Sequence, residues 1–311
     1  MSAEAAVRAT GLCKYYGATE ALRGLSLQVP AGAFFGLLGP NGSGKSTAIH
    51  LLTTLVAPTS GDAQVAGHDV VRNGLAVRRE IGLVFQEPAL DATLTVHETL
   101  EFAGRLRSLS RATIAERSEE LLTIFQMQDK RGQRVGTLSG GTRRALDICR
   151  SLLHRPRILF LDEPTIGLDV PNRRKIWSHI HKLRRDEGTT VFLTTHYLEE
   201  AEDCDDVAFL ANGLLIGGGR PRDLIERLGH YMLEIEGEAL DPVVSVLEPR
   251  LGLCLREEGR ALFRVQDDQF DLKSTLGASF GALQSVRQRR PNLNDVFLWV
   301  NDPELAEAVA A

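Results

Sequence analysis

The sequence is poor in cysteine, in aromatic residues and in long apolar runs, and each shortage removes a class of protein. Its 311 residues include four cysteines, Cys13, Cys149, Cys204 and Cys254, far apart and with no Cys-x-x-Cys pair. That spacing argues against a disulfide framework or a zinc site and fits a reducing cytosol. The most apolar stretches, 33–38, 158–161 and 190–194, are short, whereas a bilayer-spanning helix needs about 20 residues. Residues 1–10 lack the apolar core of roughly 7 to 15 residues that a secretion signal requires. Basic charge is not in excess: 36 Lys and Arg against 41 Asp and Glu leave a net charge of −5, which argues against a dedicated nucleic-acid coat. Aromatics make up 6% of the chain and do not interleave with Arg143, Arg144, Arg150, Arg155 and Arg157, so these arginines read as surface and ion-pairing residues.

What is present is the composition of a folded chain, 43% hydrophobic and 25% charged, long enough for one large or two ordinary domains. Residues 7–30 read as two strands around the turn Tyr16-Gly17-Ala18, and 34–38 as a buried strand that runs into a glycine-rich loop and a helix from Ser46. Further strands are expected at 63–65, 81–85, 157–161, 190–194 and 207–210. Helices are expected at 172–186 and 197–202, and a helical layer lies between 96 and 127. A composition break falls at 216–221. Beyond it, strands at 231–236, 253–257, 261–266 and 283–288 alternate with helices from Asp241 and over 269–279. That order, β-α-β-β-α-β, is that of a small ferredoxin-like α+β unit. The acidic run from Glu199 to Asp206 reads as a solvated helix face.

The loop reads Gly39-Pro40-Asn41-Gly42-Ser43-Gly44-Lys45-Ser46-Thr47, which fits G-x-x-x-x-G-K-[ST] between a predicted strand and a predicted helix. Glycines let successive amides face an anion, and the helix N-terminus adds positive potential. Lys45 supplies charge to the outer phosphates, and the Ser46 hydroxyl can ligate Mg²⁺. A second element, Ile158-Leu159-Phe160-Leu161-Asp162-Glu163, is an apolar strand ending in two carboxylates. In a parallel sheet it would bring Asp162 toward the Mg²⁺, through water, and point Glu163 at the γ-phosphate as general base.

Between these elements lies Leu138-Ser139-Gly140-Gly141-Thr142-Arg143-Arg144. Here the chain resembles the ATP-binding cassette (ABC) family, whose signature reads L-S-G-G-Q followed by basic residues. The resemblance runs from about Val7 to Gly219. It implies a P-loop cassette at 1–228 with a mixed sheet core, an antiparallel β subdomain and a helical subdomain at about 87–136. An α+β accessory domain follows at 229–311. It further implies that Tyr16 stacks on adenine, Gln86 senses Mg²⁺ and the membrane partner, Gly167-Leu168-Asp169 crosses a dimer, and His196 contacts the γ-phosphate. A half-buried strand tyrosine, a strand-end amide and a core histidine are the plainer readings of Tyr16, Gln86 and His196. Thr142 departs from the family's Gln, and Ala33-Phe34 from its Gly-Glu, while Lys45, Asp162, Glu163 and His196 are intact.

Ser139 to Gly141 open a predicted helix, a second anion site that would lie away from the chain's own phosphate loop. The resemblance resolves this by head-to-tail pairing of two chains, each ATP held between one phosphate loop and the other chain's signature. It also implies separate transmembrane permease subunits docking near Gln86 and the helical layer, with the ATPase peripheral on the cytoplasmic face of the membrane. Pro291-Asn292-Leu293-Asn294-Asp295-Val296-Phe297-Leu298 resembles the P-x-L-x-D-V-F-L ending of ATPase subunits of drug and polysaccharide exporters. The same residues also read as the apolar face of a terminal helix. A non-transport ABC ATPase acting on nucleic acid or ribosomes is the alternative. Its coiled-coil insertions or second cassette are not in this sequence, and a phosphate-loop kinase would leave the signature and His196 unexplained.

Overall fold

The computed structural model describes residues 5–267, 270–302 and 305, and its residue contacts divide the chain into two units. The first holds the described residues up to His196 together with Leu210–Leu215. Its central strands, Phe34–Leu38, Ile158–Asp162 and Thr190–Thr195, are buried at every position. Continuous apolar and β-branched runs of this kind belong to parallel strands covered on both faces. They pair in parallel in the order Phe34–Leu38, Thr190–Thr195, Ile158–Asp162, Ile81–Val84. The register aligns Leu38 with Thr195, Asp162 with Thr194, and Val84 with Leu161. One edge of the sheet therefore carries Gly39, Glu163, His196 and the Phe85-Gln86 segment, each immediately past its strand.

Beside it, an antiparallel sheet runs in the order Thr19–Pro30, Ala5–Tyr16, Ser60–Val65, His68–Asp69. The helical layer is two helices, Val96–Leu106 and Arg111–Ile124. The first opens on a Thr95/Glu98 capping box and the second on the Ser110 hydroxyl, each satisfying amides that a helix start leaves unpaired. They pack closely because residue 104 is glycine: a Cβ there would lie 2.5 Å from Ile114. The expected α/β cassette with an antiparallel sheet and an inserted helical layer is thus present.

The second unit comprises Tyr197–Phe209 and the described residues from Ile216 onward. Tyr231–Glu236, Asp241–Leu251, Leu255–Glu257, Arg260–Val265, Leu272–Leu276 and Ser285–Arg289 follow in the order β-α-β-β-α-β. The strands are all antiparallel. Arg260–Val265 lies between the two strands joined by the first helix, which is the split arrangement of a ferredoxin-like unit. Leu233, Ile235, Val244, Leu247, Phe263 and Val265 form its own core. The expected helix at 269–279 is shorter, Leu272–Leu276 followed by a 3-10 turn, and Gln269 lies outside the described residues.

The composition break at 216–221 is largely a strand, Leu214–Gly219. A Cβ on Gly217 would meet Val300 at 2.8 Å and one on Gly218 would meet the Val207 carbonyl at 2.5 Å, so glycine here permits close packing. Two expectations need correction, those for Glu200 and Arg144. Glu200 is buried within the acidic run read as solvated. Arg144, read as a surface residue, is 2% exposed because the carbonyls of Phe85 and Gln86 receive its guanidinium.

Candidate active site

The phosphate-type loop ends in the helix Lys45–Leu52, whose first turn has no side-chain cap. Gly44 precedes it at φ 108°, a left-handed conformation, and a Cβ there would lie 2.5 Å from the Ala21 carbonyl, so only glycine fits. The uncapped amides and helix dipole make an anion site, and a buried ammonium stands in it. Lys45 is 4% exposed. Its Nζ donates to the carbonyls of Gly39 at 2.9 Å and Pro40 at 3.0 Å, and lies 3.4 Å from Glu163 Oε1. Burial pulls the Lys45 pKa down, opposed chiefly by the Glu163 carboxylate.

Glu163 has φ 46°, a left-handed backbone that non-glycine residues rarely adopt. Its amide donates to the Thr194 carbonyl at 3.0 Å, and this bond holds the turn just past the strand. Its second oxygen, Oε2, lies 3.0 Å from His196 Nδ1. Lys45, Glu163 and His196 therefore form one continuous chain of contacts. Alongside, Asp162 Oδ1 accepts from Ser46 Oγ at 3.3 Å and from Thr194 Oγ1 at 2.5 Å. Ser46 and Asp162, both expected at the Mg²⁺, are thus brought side by side. Two hard oxygens side by side, with Gln86 lining the same cleft, suit a Mg²⁺ ion. Among the described residues no group of three or more His, Cys, Asp and Glu could hold a metal, so phosphate and water would supply the other ligands.

The cleft over Lys45 has a volume of about 480 Å³ and is lined by Asn41, Gly42, Gly44, Ser46, Thr47, Gln86 and Glu163, together with Thr19, Glu20, Ala21 and Asn212. Tyr16 does not line it: the ring is 47% exposed at the end of its strand, with Lys14 Nζ 5.1 Å from its centroid. The signature is also elsewhere. Ser139 caps the helix Gly140–Leu152, its hydroxyl accepting from the Thr142 amide at 3.3 Å and lying 2.9 Å from the Thr142 hydroxyl. Asp169 caps Val170–Glu187 through the Asn172 amide at 2.9 Å. The two caps are neighbours, since a Cβ on Gly141 would lie 2.7 Å from Asn172 Cγ. Thr194 and Arg144 were not singled out by sequence for these contacts. Only the strand register points Thr194 at Asp162, and only the fold brings Arg144 to the Gln86 loop.

A family model described as ABC transporter matches residues 22–166. The daunorubicin resistance ATP-binding protein DrrA3 of Streptomyces coeruleorubidus is 39% identical over 316 residues, spanning 98% of this chain and 99% of that protein. The chain belongs to the ABC transporter ATP-binding family. Its likeness extends to the Nod factor export ATP-binding protein I of Ralstonia nicotianae, 37% identical over 303 residues, covering 96% of this chain and 94% of that one. Among solved structures, the dimeric post-hydrolysis state of the ATP-binding cassette MJ0796 bound to ADP and Pi has a TM-score of 0.64 and 27% identity. It covers 69% of this chain and 98% of that one. As an ABC ATPase, the chain carries an ATP-binding and hydrolysing cassette of the P-loop fold. No described helix is long and apolar enough to cross a membrane.

Proposed function

We propose that this ABC ATPase drives a bacterial export system through separate membrane subunits, and that the contacts joining Lys45, Glu163 and His196 are its hydrolytic centre. That chain of contacts is the observation that carries the reading. When ATP enters, Lys45 exchanges the Gly39 and Pro40 carbonyls and Glu163 for phosphate oxygens, and the amides from Asn41 to Thr47 receive the rest. Glu163 Oε1 is thereby released to accept a proton from the attacking water, while His196 holds Oε2 and meets the γ-phosphate. Ser46 and Asp162, with Gln86, would hold Mg²⁺, which neutralises charge on the phosphates when bound. Tyr16 lies outside the cleft, so its stacking on adenine requires the ring to swing inward or the base to extend past Glu20.

Ser139, Gly140, Gly141 and Asp169 lie apart from the chain's own cleft, which supports a head-to-tail pair of chains. A second cavity of about 730 Å³, lined by Leu55, Leu75, Leu83, Phe85, Phe102 and Leu106 beside the Gln86 loop, supports docking of a permease segment there. Such docking places the ATPase on the cytoplasmic face of the membrane. Export is supported by the two relatives, a daunorubicin resistance ATP-binding protein and a Nod factor export ATP-binding protein, which match along nearly the whole chain. Glu163→Gln should retain ATP binding and lose about 10²-fold or more in hydrolysis. Undiminished turnover in that variant would remove Glu163 from the role of base.

A further inference from the structure

The helix that carries the signature also grips the Gln86 loop. Arg144, in its second turn, donates to the carbonyls of Phe85, at 2.5 Å, and Gln86. Arg150, further along the helix, donates to the Ala89 carbonyl at 2.8 Å. Asp147, fully buried, lies between them, 2.7 Å from Arg150 and 3.7 Å from Arg144. Successive i,i+3 spacings put each charge beside the next. Three backbone carbonyls of one loop are thus held by one helix.

A buried guanidinium is costly unless its donors are matched, and a planar fork matched to two adjacent carbonyls resists displacement of either. Burial pulls the Arg144 pKa down, and Asp147 and Asp162 oppose that, so the grip also lies within the field of the carboxylate beside Ser46. Gln86 lines the cleft with Lys45 and Glu163, whereas Ser139 stands at the start of the gripped helix. Arg144 and Asp147 do not line that cleft, but Gln86, whose carbonyl Arg144 holds, does.

We propose that Arg144, braced by Asp147 and Arg150, is a positioning residue that ties the signature helix to the Gln86 loop. A chain's own bound nucleotide then sets the signature that it presents to the second chain. The coupling rests on the head-to-tail pairing proposed above. The test compares full-length wild type with Arg144→Met, Arg144→Lys and Arg150→Met, measuring equilibrium binding of ATP and initial hydrolysis rates across ATP concentration.

In Arg144→Met, ATP affinity should stay within about threefold of wild type, while the maximal rate falls about tenfold or more and cooperativity in ATP is lost. Lys at 144 keeps donors and should restore part of both. Arg150→Met releases only Ala89 and should show a smaller loss in the same direction. Wild-type rate and cooperativity in Arg144→Met overturn the proposal, as does a loss confined to ATP affinity. Should Arg144→Met fail to fold by circular dichroism, Arg150→Met decides: reduced cooperativity at unchanged affinity upholds the coupling, and unchanged kinetics overturn it. A wild type whose own rate is hyperbolic in ATP instead overturns the paired-site reading, and the coupling with it.

Discussion

Thr194 shows how much of a site can rest on a residue without charge. Its hydroxyl donates to Asp162 Oδ1 at 2.5 Å and accepts from the Glu163 amide at 3.3 Å, at a fully buried position. Thr194→Val keeps the shape and removes both bonds, leaving a buried carboxylate oxygen short of a donor. The expected result is a loss of about 1–3 kcal/mol in urea unfolding, with slower hydrolysis and recovery in Thr194→Ser. The signature glycines give a second contrast. Nothing lies within 4 Å of a Cβ on Gly140, whereas one on Gly141 would press on Asn172 at 2.7 Å. Gly140→Ala should therefore unfold no earlier than wild type, and Gly141→Ala earlier, with Asn172→Ala relieving the second. Lys45, Ser46, Asp162 and Glu163 were legible in the sequence because loop and strand-end chemistry is local. Thr194 was not, since its role exists only once the strand Thr190–Thr195 is set beside Ile158–Asp162 in one register.

At the scale of elements, the strands of the central sheet could be read from their apolar runs, and the helical layer from its periodicity. The strand Leu214–Gly219 could not, because its run of glycines carries no strand pattern and its close neighbours come from the fold. Nor was the junction at His154 visible. Just past the helix Gly140–Leu152, its Nε2 lies 2.9 Å from the Ile81 carbonyl, a contact that requires Nε2–H as donor, and so ties the helix to the strand Ile81–Val84. Burial, aided by the Arg107 cation, lowers its pKa from 6.5 to about 4. The unfolded chain therefore binds more protons than the folded one between these values. Stability is fully present above pH 6.5 and falls as pH drops toward 4, by at most roughly 3 kcal/mol and less because the ring is partly exposed. Urea midpoints at pH 7 and pH 5 should draw closer together in His154→Gln than in wild type. An equal separation in both would remove His154 from the acid limb.

For the whole molecule, the second unit has its own core and its own buried charges, which gives it the means to unfold by itself. Asp295, fully buried in the Pro291–Leu298 motif, is bound at both oxygens by Arg289, at 2.6 and 2.7 Å, and accepts from the Asn292 amide at 2.9 Å. The motif's aspartate is thus a capping box and an ion pair that seat the helix Leu293–Asn301, whose Val296 and Trp299 are buried. Arg289 also lies 3.8 Å from Glu234, which pairs with Arg260 at 2.7 Å. Arg289→Met strips Asp295 of its cation inside the protein, and breaking a buried pair in this way costs about 3–5 kcal/mol. Because none of these groups belongs to the unit that holds Lys45 and Glu163, calorimetry of the variant should show one transition moved to lower temperature and the other unmoved. ATP, which binds the first unit, should raise only the transition that the variant leaves in place. If the variant instead shifted a single transition shared by the whole chain, the two units would be one folding unit, and the C-terminal motif would act on the stability of the proposed hydrolytic centre as well.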